Sequence, residues 1–124
     1  ALKKVNLLSF VEAQGGLAMP LLSNGTNISG GQKQRLSLAR ALLHDTPVYI
    51  FDEATSNIDA ESEEMIMEVI HELAKSRTIL LISHRLANVV GSDCIFMLEN
   101  GRVAEAGKHE ELLKKGGSYS RLFR

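Results

Sequence analysis

The 124-residue sequence predicts an α/β fold in which a parallel sheet with helices is followed by a β-hairpin and further helices. Short apolar runs rich in β-branched residues alternate with longer stretches in which apolar residues recur at helical spacing. Two of the apolar runs end in side chains that can take part in chemistry, Asp52-Glu53 and His84. A two-residue turn signal, Asn100-Gly101, separates the last two predicted strands and indicates a hairpin.

The first part of the chain predicts two helices joined by a loop. Apolar residues at roughly helical spacing predict an amphipathic helix from Leu2 to about Ala13. Residues 15–27 contain glycine, proline and asparagine and predict a loop. Ser29 is a good N-cap for the next helix, which we expect from Gln32 to about Leu43. Thr46-Pro47 then makes continuation of that helix unfavourable.

Two strands on either side of a helix are expected next. Residues 48–52 are too few for a helix, follow Pro47, and begin with Val-Tyr-Ile-Phe, so they predict a fully buried parallel strand. Apolar positions at helical spacing predict a helix over residues 60–75, with most of its acidic residues outside the apolar stripe. Residues 78–83 predict a second buried strand, which delivers His84 at its C-terminal end.

Shorter elements complete the predicted fold. They are a short helix over about 86–90, strands over 94–98 and about 102–106, a helix over 108–115, and a last turn or two up to residue 123. The single cysteine, Cys94, excludes an internal disulfide, and its apolar surroundings predict a small core residue.

Size and composition narrow the classes of protein. The length allows one small domain or a piece of a larger one. A hydrophobic content of 44% with 23% charged residues is ordinary for a globular chain. The formal net charge of -1 gives no overall basic surface, so we expect no nucleic-acid partner. The longest apolar stretches fall far short of a membrane span, so we expect no direct membrane insertion by this segment.

Two stretches of the sequence predict parts of a nucleotide site. Asp52 and Glu53 follow a strand at its C-terminal end, where open α/β sheets bind ligands. One acid that holds Mg²⁺ and a second that handles a water molecule are typical of nucleotide hydrolysis. Gly30 and Gly31 allow close approach of backbone to a ligand, and the helix that they start favours an anion such as phosphate at its N-terminus.

Three longer patterns make the interpretation specific. They are Ile28-Ser29-Gly30-Gly31-Gln32-Lys33-Gln34-Arg35, Ala39-Arg40-Ala41-Leu42 and Phe51-Asp52-Glu53-Ala54-Thr55-Ser56. With them the chain resembles the ATP-binding cassette (ABC) ATPases. The resemblance implies the C-terminal half of a P-loop NTPase-like parallel sheet. It makes residues 1–45 part of the ABC helical subdomain, including the signature motif and its helix. Residues 46–124 become the C-terminal part of the ATPase core.

The resemblance also implies a role for each candidate residue. Asp52 is the Walker B aspartate that holds Mg²⁺, Glu53 is the general base that polarises the attacking water, and His84 is the switch histidine that contacts the γ-phosphate. Asp59 is the D-loop aspartate, which communicates across a dimer interface. The signature residues bind the γ-phosphate of ATP held by the partner domain: Ser29, Gly30, Gly31 and Gln32. The plainer alternatives are a strand-end cap for Asp52, a surface acid for Glu53 and a core histidine for His84.

The chain lacks a phosphate loop of the form G-x-x-x-x-G-K-[ST]. We therefore interpret it as a fragment, about the C-terminal half of the family's domain, and expect no ATPase activity from it alone. The pattern from His84-Arg85-Leu86 to His109-Glu110-Glu111-Leu112-Leu113 resembles the exporter branch. For the intact protein this resemblance implies a homo- or heterodimer of ATP-binding domains with ATP and Mg²⁺. It would lie on the cytoplasmic side of a membrane against transmembrane domains, where hydrolysis drives export.

Two other functions stay open at this point. A naturally short or split protein would not be an enzyme and would offer its signature helix as an interaction module. A soluble ABC ATPase would act on nucleic acid or ribosomes. The DNA just upstream of this segment separates the three hypotheses. A phosphate loop preceded by membrane spans supports the exporter, and a genuine start codon supports the module. A phosphate loop with neither membrane spans nor a neighbouring membrane-protein gene supports the soluble ATPase.

Overall fold

The computed structural model describes residues 1–123, apart from the side chain of residue 24, as two units, Ala1–Ile82 and the residues from Ser83 onward. The first unit contains α1 (Leu8–Ala13), 3₁₀ turns at Gly16–Ala18 and Ser23–Gly25, α2 (Gly30–His44), β1 (Val48–Asp52), α3 (Ala60–Ala74) and β2 (Thr78–Ile82). The second contains a 3₁₀ turn at Leu86–Asn88, β3 (Ile95–Glu99), β4 (Arg102–Gly107), α4 (His109–Lys115) and α5 (Ser118–Phe123). This architecture confirms the predicted α/β fold class.

Strands β1 and β2 pair in parallel, with Val48 opposite Thr78 and Asp52 opposite Ile82. Helix α3 connects them, as expected because parallel neighbours need a crossover connection. On one face of the pair, Tyr49 and Phe51 are buried against apolar side chains of the helices. The core members contributed by α2 and α3 are Leu38, Ala39, Ile66, Met67 and Ile70. The parallel pair therefore forms one layer and the two long helices form the other.

The opposite face of this strand pair is exposed. The exposed fractions are 50% for Val48, 66% for Ile50, 49% for Leu80 and 45% for Ile82. The prediction of two fully buried strands is therefore wrong. Successive side chains of a strand point to opposite faces, and in the described part of the chain the helices cover only one of them.

The first predicted helix is shorter than its apolar pattern suggested. Residues 2–6 form turns, and α1 begins only at Leu8. Asn6 has a left-handed backbone with φ of 55°, which a right-handed helix cannot contain. The backbone N–H of Leu7 instead donates to the Leu2 carbonyl at 2.9 Å. Val5 and Leu7 are nevertheless buried, so the spacing indicated burial correctly but not the helix.

In the second unit, β3 and β4 form the predicted antiparallel hairpin around Asn100-Gly101. Both turn residues have positive φ, 50° and 74°, as this class of two-residue turn requires. Ile95 packs with Leu112 and Tyr119 in a small core. Cys94 precedes the strand and is exposed, so the expectation of a core cysteine is wrong, because the buried position belongs to its neighbour. None of the helices described in residues 1–123 is long and apolar enough to cross a bilayer.

Candidate functional site

The N-terminus of α2 is closed by a reciprocal pair of hydrogen bonds. The backbone N–H of Gln32 donates to Ser29 Oγ at 3.1 Å, and the backbone N–H of Ser29 donates to Gln32 Oε1 at 2.8 Å. This is a capping box, which satisfies two backbone donors at the helix start. The helix therefore begins at Gly30, two residues before the predicted start, and the Gln32 side chain is engaged within its own helix end.

The two glycines after the cap have different surroundings. Gly30 is exposed, and a Cβ placed there would lie 3.6 Å from the Asn57 carbonyl oxygen, an ordinary van der Waals distance. Gly31 is buried, and a Cβ there would lie 2.8 Å from Asp59 Oδ1 and 3.0 Å from Ser62 Cβ, with Ser62 Oγ closer still. Gly30 thus leaves room beside the helix end, whereas Gly31 packs against its own chain.

An arginine outside the predicted site links the start of α2 to the N-terminal turns. Arg35 donates from Nε to the Gly31 carbonyl at 3.4 Å and from a terminal nitrogen to the Asn6 carbonyl at 3.3 Å. The left-handed turn at Asn6, which precedes α1, thus places a carbonyl where this side chain can bond it. Sequence reasoning missed this contact because it depends on that turn.

The end of β1 carries the two acidic residues. Asp52 is the last residue of the strand and is exposed. Glu53 is half-buried, and its backbone N–H donates to the Ile82 carbonyl at 2.9 Å, which extends the pairing with β2 by one bond. Its φ of 53° lies in the left-handed region, which is uncommon for a residue with a Cβ and is found often at functional sites.

Asp59 caps the N-terminus of α3. Its Oδ2 accepts a hydrogen bond from the backbone N–H of Ser62 at 2.9 Å. That bond, a second from the Ser62 hydroxyl, and to a lesser extent the positive charge of Arg35 hold the pKa of the Asp59 carboxyl below its ordinary value. A carboxylate is also favoured by the positive end of the helix dipole. Asp59 is therefore ionised at neutral pH and fixed to the first turn of α3.

The first unit brings the starts of α2 and α3 together, through Gly31 with Asp59 and Ser62 and through Gly30 with Asn57. Asp52 and Glu53 lie in the same unit, at the beginning of the segment that leads to Asp59.

His84 belongs to the second unit, two residues after β2 ends, and it is exposed. The turn beside it is closed by the backbone N–H of Arg85, which donates to Ser83 Oγ at 3.0 Å. His84 therefore follows a strand, as predicted, but that strand is not fully buried.

A magnesium ion bound with a nucleotide requires few protein ligands. Within residues 1–123, no group of three or more His, Cys, Asp or Glu side chains is arranged to hold a metal ion. Mg²⁺ in nucleotide sites keeps several waters and binds one or two carboxylates plus the substrate phosphates. An exposed aspartate at the carboxyl end of a parallel strand, as at Asp52, fits that donor set.

Comparisons with known proteins show what the chain is similar to. A family model described as "ABC transporter" matches residues 4–56, which include the capped start of α2 and both acidic residues. An ABC transporter ATP-binding protein of Haemophilus influenzae is 57% identical over 122 residues, which is 98% of this chain and 22% of that protein. An ATP-dependent lipid A-core flippase of Francisella tularensis is 49% identical over 124 residues, 99% of this chain and 20% of that protein.

A solved structure is similar as well. A bacterial Atm1-family ABC exporter with ATP bound matches with a TM-score of 0.89 and 35% sequence identity, over 98% of this chain and 22% of that one. The chain thus spans about a fifth of the length of these relatives, 22% and 20% for the two named above. These findings confirm the predicted resemblance to exporter ATP-binding domains. Over almost its whole length the chain is therefore similar to the ATP-binding domains of ABC exporters, as expected for part of an ABC nucleotide-binding domain.

Proposed function

We propose that the intact protein hydrolyses ATP at the interface of two ATP-binding domains and thereby drives export through transmembrane domains. The observation that carries the proposal is the end of β1, where Asp52 and Glu53 leave a parallel strand at its carboxyl end and Glu53 adopts a left-handed backbone. The names of two relatives, an ATP-dependent flippase and an exporter with ATP bound, support it. In this proposal the domain lies on the cytoplasmic side of the membrane and has no nucleic-acid partner.

Asp52 would hold Mg²⁺, which supplies charge neutralisation for the phosphates when it is bound. Glu53 would accept a proton from the attacking water, since a carboxylate beside the nucleotide can act as a general base. The hydrogen bond from its backbone N–H to the Ile82 carbonyl anchors this residue to β2, so that the base is held on a paired strand end rather than on a free loop. His84 would contact the γ-phosphate.

The start of α2 would act at the other nucleotide of the dimer. Ser29, Gly30 and Gln32 lie at a helix N-terminus, where backbone N–H groups and the helix dipole favour an anion. Exposed Gly30 leaves room for a phosphate group to approach the backbone. Buried Gly31 belongs to the same motif, and Asp59 would carry information across the dimer interface from the start of α3.

The two parts of the chain would act on different nucleotides of the dimer. Residues 1–45 would belong to the helical subdomain that reaches the partner's nucleotide. Residues 46–124 would belong to the ATPase core that acts on the nucleotide of the same polypeptide. Because these 124 residues contain no phosphate-loop motif, we expect no ATP turnover from them alone.

The test is Glu53→Gln in the full-length protein that carries this segment. Glutamine keeps the size and polarity of the side chain but cannot accept the proton, so we expect ATP binding to persist while kcat falls roughly 10²-fold or more. Glu68→Gln, an exposed position on α3, is the matched control for the loss of one negative charge and should retain wild-type kcat. Wild-type turnover by Glu53→Gln would exclude Glu53 as the base.

A further inference from the structure

We infer that Ser62 is a positioning residue for the signature motif: with Asp59 it forms a contact that only glycine at position 31 can make. We call this contact, between Gly31 and the side chains of Asp59 and Ser62, the glycine contact. The inference deepens the proposed function, because it attributes the burial of Gly31 to packing within the chain. Only its kinetic test rests on the proposed function. Nothing in the sequence distinguishes Gly31 from Gly30 in this respect.

Burial and distance locate the contact. Ser62 lies in the first turn of α3 and is only 5% exposed, and Gly31 is buried in the first turn of α2. A Cβ at position 31 would be 2.8 Å from Asp59 Oδ1 and 3.0 Å from Ser62 Cβ, and it would overlap Ser62 Oγ. Cβ atoms do not approach other heavy atoms within 3 Å without displacing them, so alanine at this position must displace the side chains of Asp59 and Ser62 or the helix starts that carry them.

Neither partner of the glycine contact can easily move aside. On the α3 side, the backbone N–H and the hydroxyl of Ser62 both bond the Asp59 carboxylate, so displacement would break the helix cap. On the α2 side, the capping box of Ser29 and Gln32 fixes the first turn, and Arg35 holds the Gly31 carbonyl at 3.4 Å. The two helix starts therefore behave as one body.

The paired starts of α2 and α3 connect the segment after Glu53 with the signature residues. The segment after Glu53 ends at Asp59, which belongs to the glycine contact, and the contact continues directly into the first turn of α2. A shift of the segment after β1 is thus transmitted to the residues that would touch the partner's nucleotide. Ser62 touches no nucleotide in this scheme and acts through Gly31.

The first measurement is independent of activity. In the nucleotide-free full-length protein, Gly31→Ala should accelerate amide hydrogen exchange in residues 30–36 and 60–66 by about tenfold, because overpacking of this kind strains both helix starts. Gly91→Ala is the matched control, since no described atom lies within 4 Å of a Cβ at Gly91 and its backbone is not left-handed. Exchange in Gly31→Ala equal to that in Gly91→Ala would overturn the inference.

Rescue from the other side of the contact separates this role from a general loss of structure. Ser62→Gly removes both Ser62 atoms that a Cβ at position 31 would meet, and it removes the hydroxyl bond that helps to hold Asp59 Oδ1 against that Cβ. The double variant Gly31→Ala/Ser62→Gly should therefore recover most of the exchange protection. Gly31→Ala/Ser37→Gly, which adds a helix glycine at an exposed position of α2, should recover none. If Gly31→Ala does not accumulate as folded protein, recovery of folded protein by Ser62→Gly is the same test. Failure of Ser62→Gly to recover either quantity overturns the inference.

Kinetics then connect the contact to the proposed function. Gly31→Ala should lower kcat about tenfold while KM for ATP changes little, because the displaced groups act on the γ-phosphate rather than on the rest of the nucleotide. Ser62→Gly should restore kcat together with the exchange protection. An unaltered kcat in Gly31→Ala, when exchange is faster, would disconnect the contact from catalysis. Failure of the proposed function would appear separately, as wild-type turnover by Glu53→Gln with the exchange results intact.

Discussion

The first unit buries its apolar residues between layers, whereas the second relies on a few anchored side chains. In the first, a parallel strand pair packs on two 15-residue helices, and nine of its described residues form a continuous apolar core. In the second, a hairpin packs on two helices of seven and six residues around Ile95, Leu112 and Tyr119. Polar contacts accompany this smaller core.

Those polar contacts fix the ends of the short helices. Glu105 of β4 accepts a hydrogen bond from the backbone N–H of Tyr119 at 2.8 Å, in the first turn of α5. Glu111 accepts one from the backbone N–H of Lys108 at 2.9 Å, at the start of α4. His109 Nδ1 and the Tyr119 hydroxyl are 2.9 Å apart. We therefore expect stability to be spread over many side chains in the first unit and to depend on few in the second.

The largest expected effects come from cavities in the two cores. Leu112 is fully buried and Ile66 is 1% exposed, so truncating either to alanine should cost about 2–5 kcal/mol of unfolding free energy. Because the second core is smaller, Leu112→Ala should remove protection throughout α4 and α5, whereas Ile66→Ala should loosen α3 and leave much of its unit protected. Segment-resolved hydrogen exchange on the full-length protein measures both. Equal loss of protection across both units in the two variants would contradict the comparison.

A smaller effect is expected at the polar anchor of α5. Glu105→Ala removes the acceptor for the Tyr119 N–H, and loss of such a helix-end bond costs about 1 kcal/mol. Glu99→Ala, an exposed glutamate on the other strand of the hairpin, removes the same charge and should change the unfolding free energy much less. Chemical denaturation monitored in the second unit compares them. Identical midpoints for the two variants would show that Glu105 anchors nothing.

The smallest expected effects concern pH, and they have opposite signs in the two units. In the first, a hydrogen bond from Arg77 lowers the pKa of Asp45, and the Ser62 bonds lower that of Asp59. Stability from these groups is present above their ordinary pKa of about 4 and is lost as pH falls through the lowered folded values. In the second, burial raises the pKa of Tyr119, so its contribution is present below about pH 10 and is lost as pH rises further.

Exchange profiles of the full-length protein from pH 3 to 11, corrected for intrinsic exchange, test this assignment. We expect acid to expose the first turn of α3, by no more than about threefold because the Asp59 carboxylate faces solvent, and we expect alkali to expose α5. Asp59→Asn should abolish the acid effect at α3, and Tyr119→Phe the alkaline effect at α5. If the acid effect at α3 survives in Asp59→Asn, then groups other than Asp59 cause it.

Much of the fold follows from local sequence patterns. The short apolar runs predicted β1 and β2, and Asn100-Gly101 predicted the hairpin, because strand propensity and turn chemistry act over a few residues. The exposure of Val48 and Ile50 could not be predicted, since every residue from Val48 to Phe51 is apolar and the alternation between faces leaves no trace.

The candidate site divides in the same way. Ser29 as the cap of α2 and the position of Asp52 and Glu53 after a strand follow from sequence alone. The different surroundings of Gly30 and Gly31 do not, because Ser62 lies 31 residues after Gly31 and only the fold brings them together. The bond from Arg35 to Asn6 was hidden for the same reason. Contacts between distant segments depend on packing angles that no local pattern encodes.

At Glu53 the residue that the backbone favours differs from the residue that ATP hydrolysis would need. A residue with a Cβ costs about 1–2 kcal/mol in this conformation, which glycine adopts freely. If Glu53 activates water, the position keeps a residue that its backbone disfavours, because the reaction needs a carboxylate there. A laboratory evolution experiment that rewards thermal stability alone would therefore discard that carboxylate early and yield proteins that fold better and no longer turn over ATP.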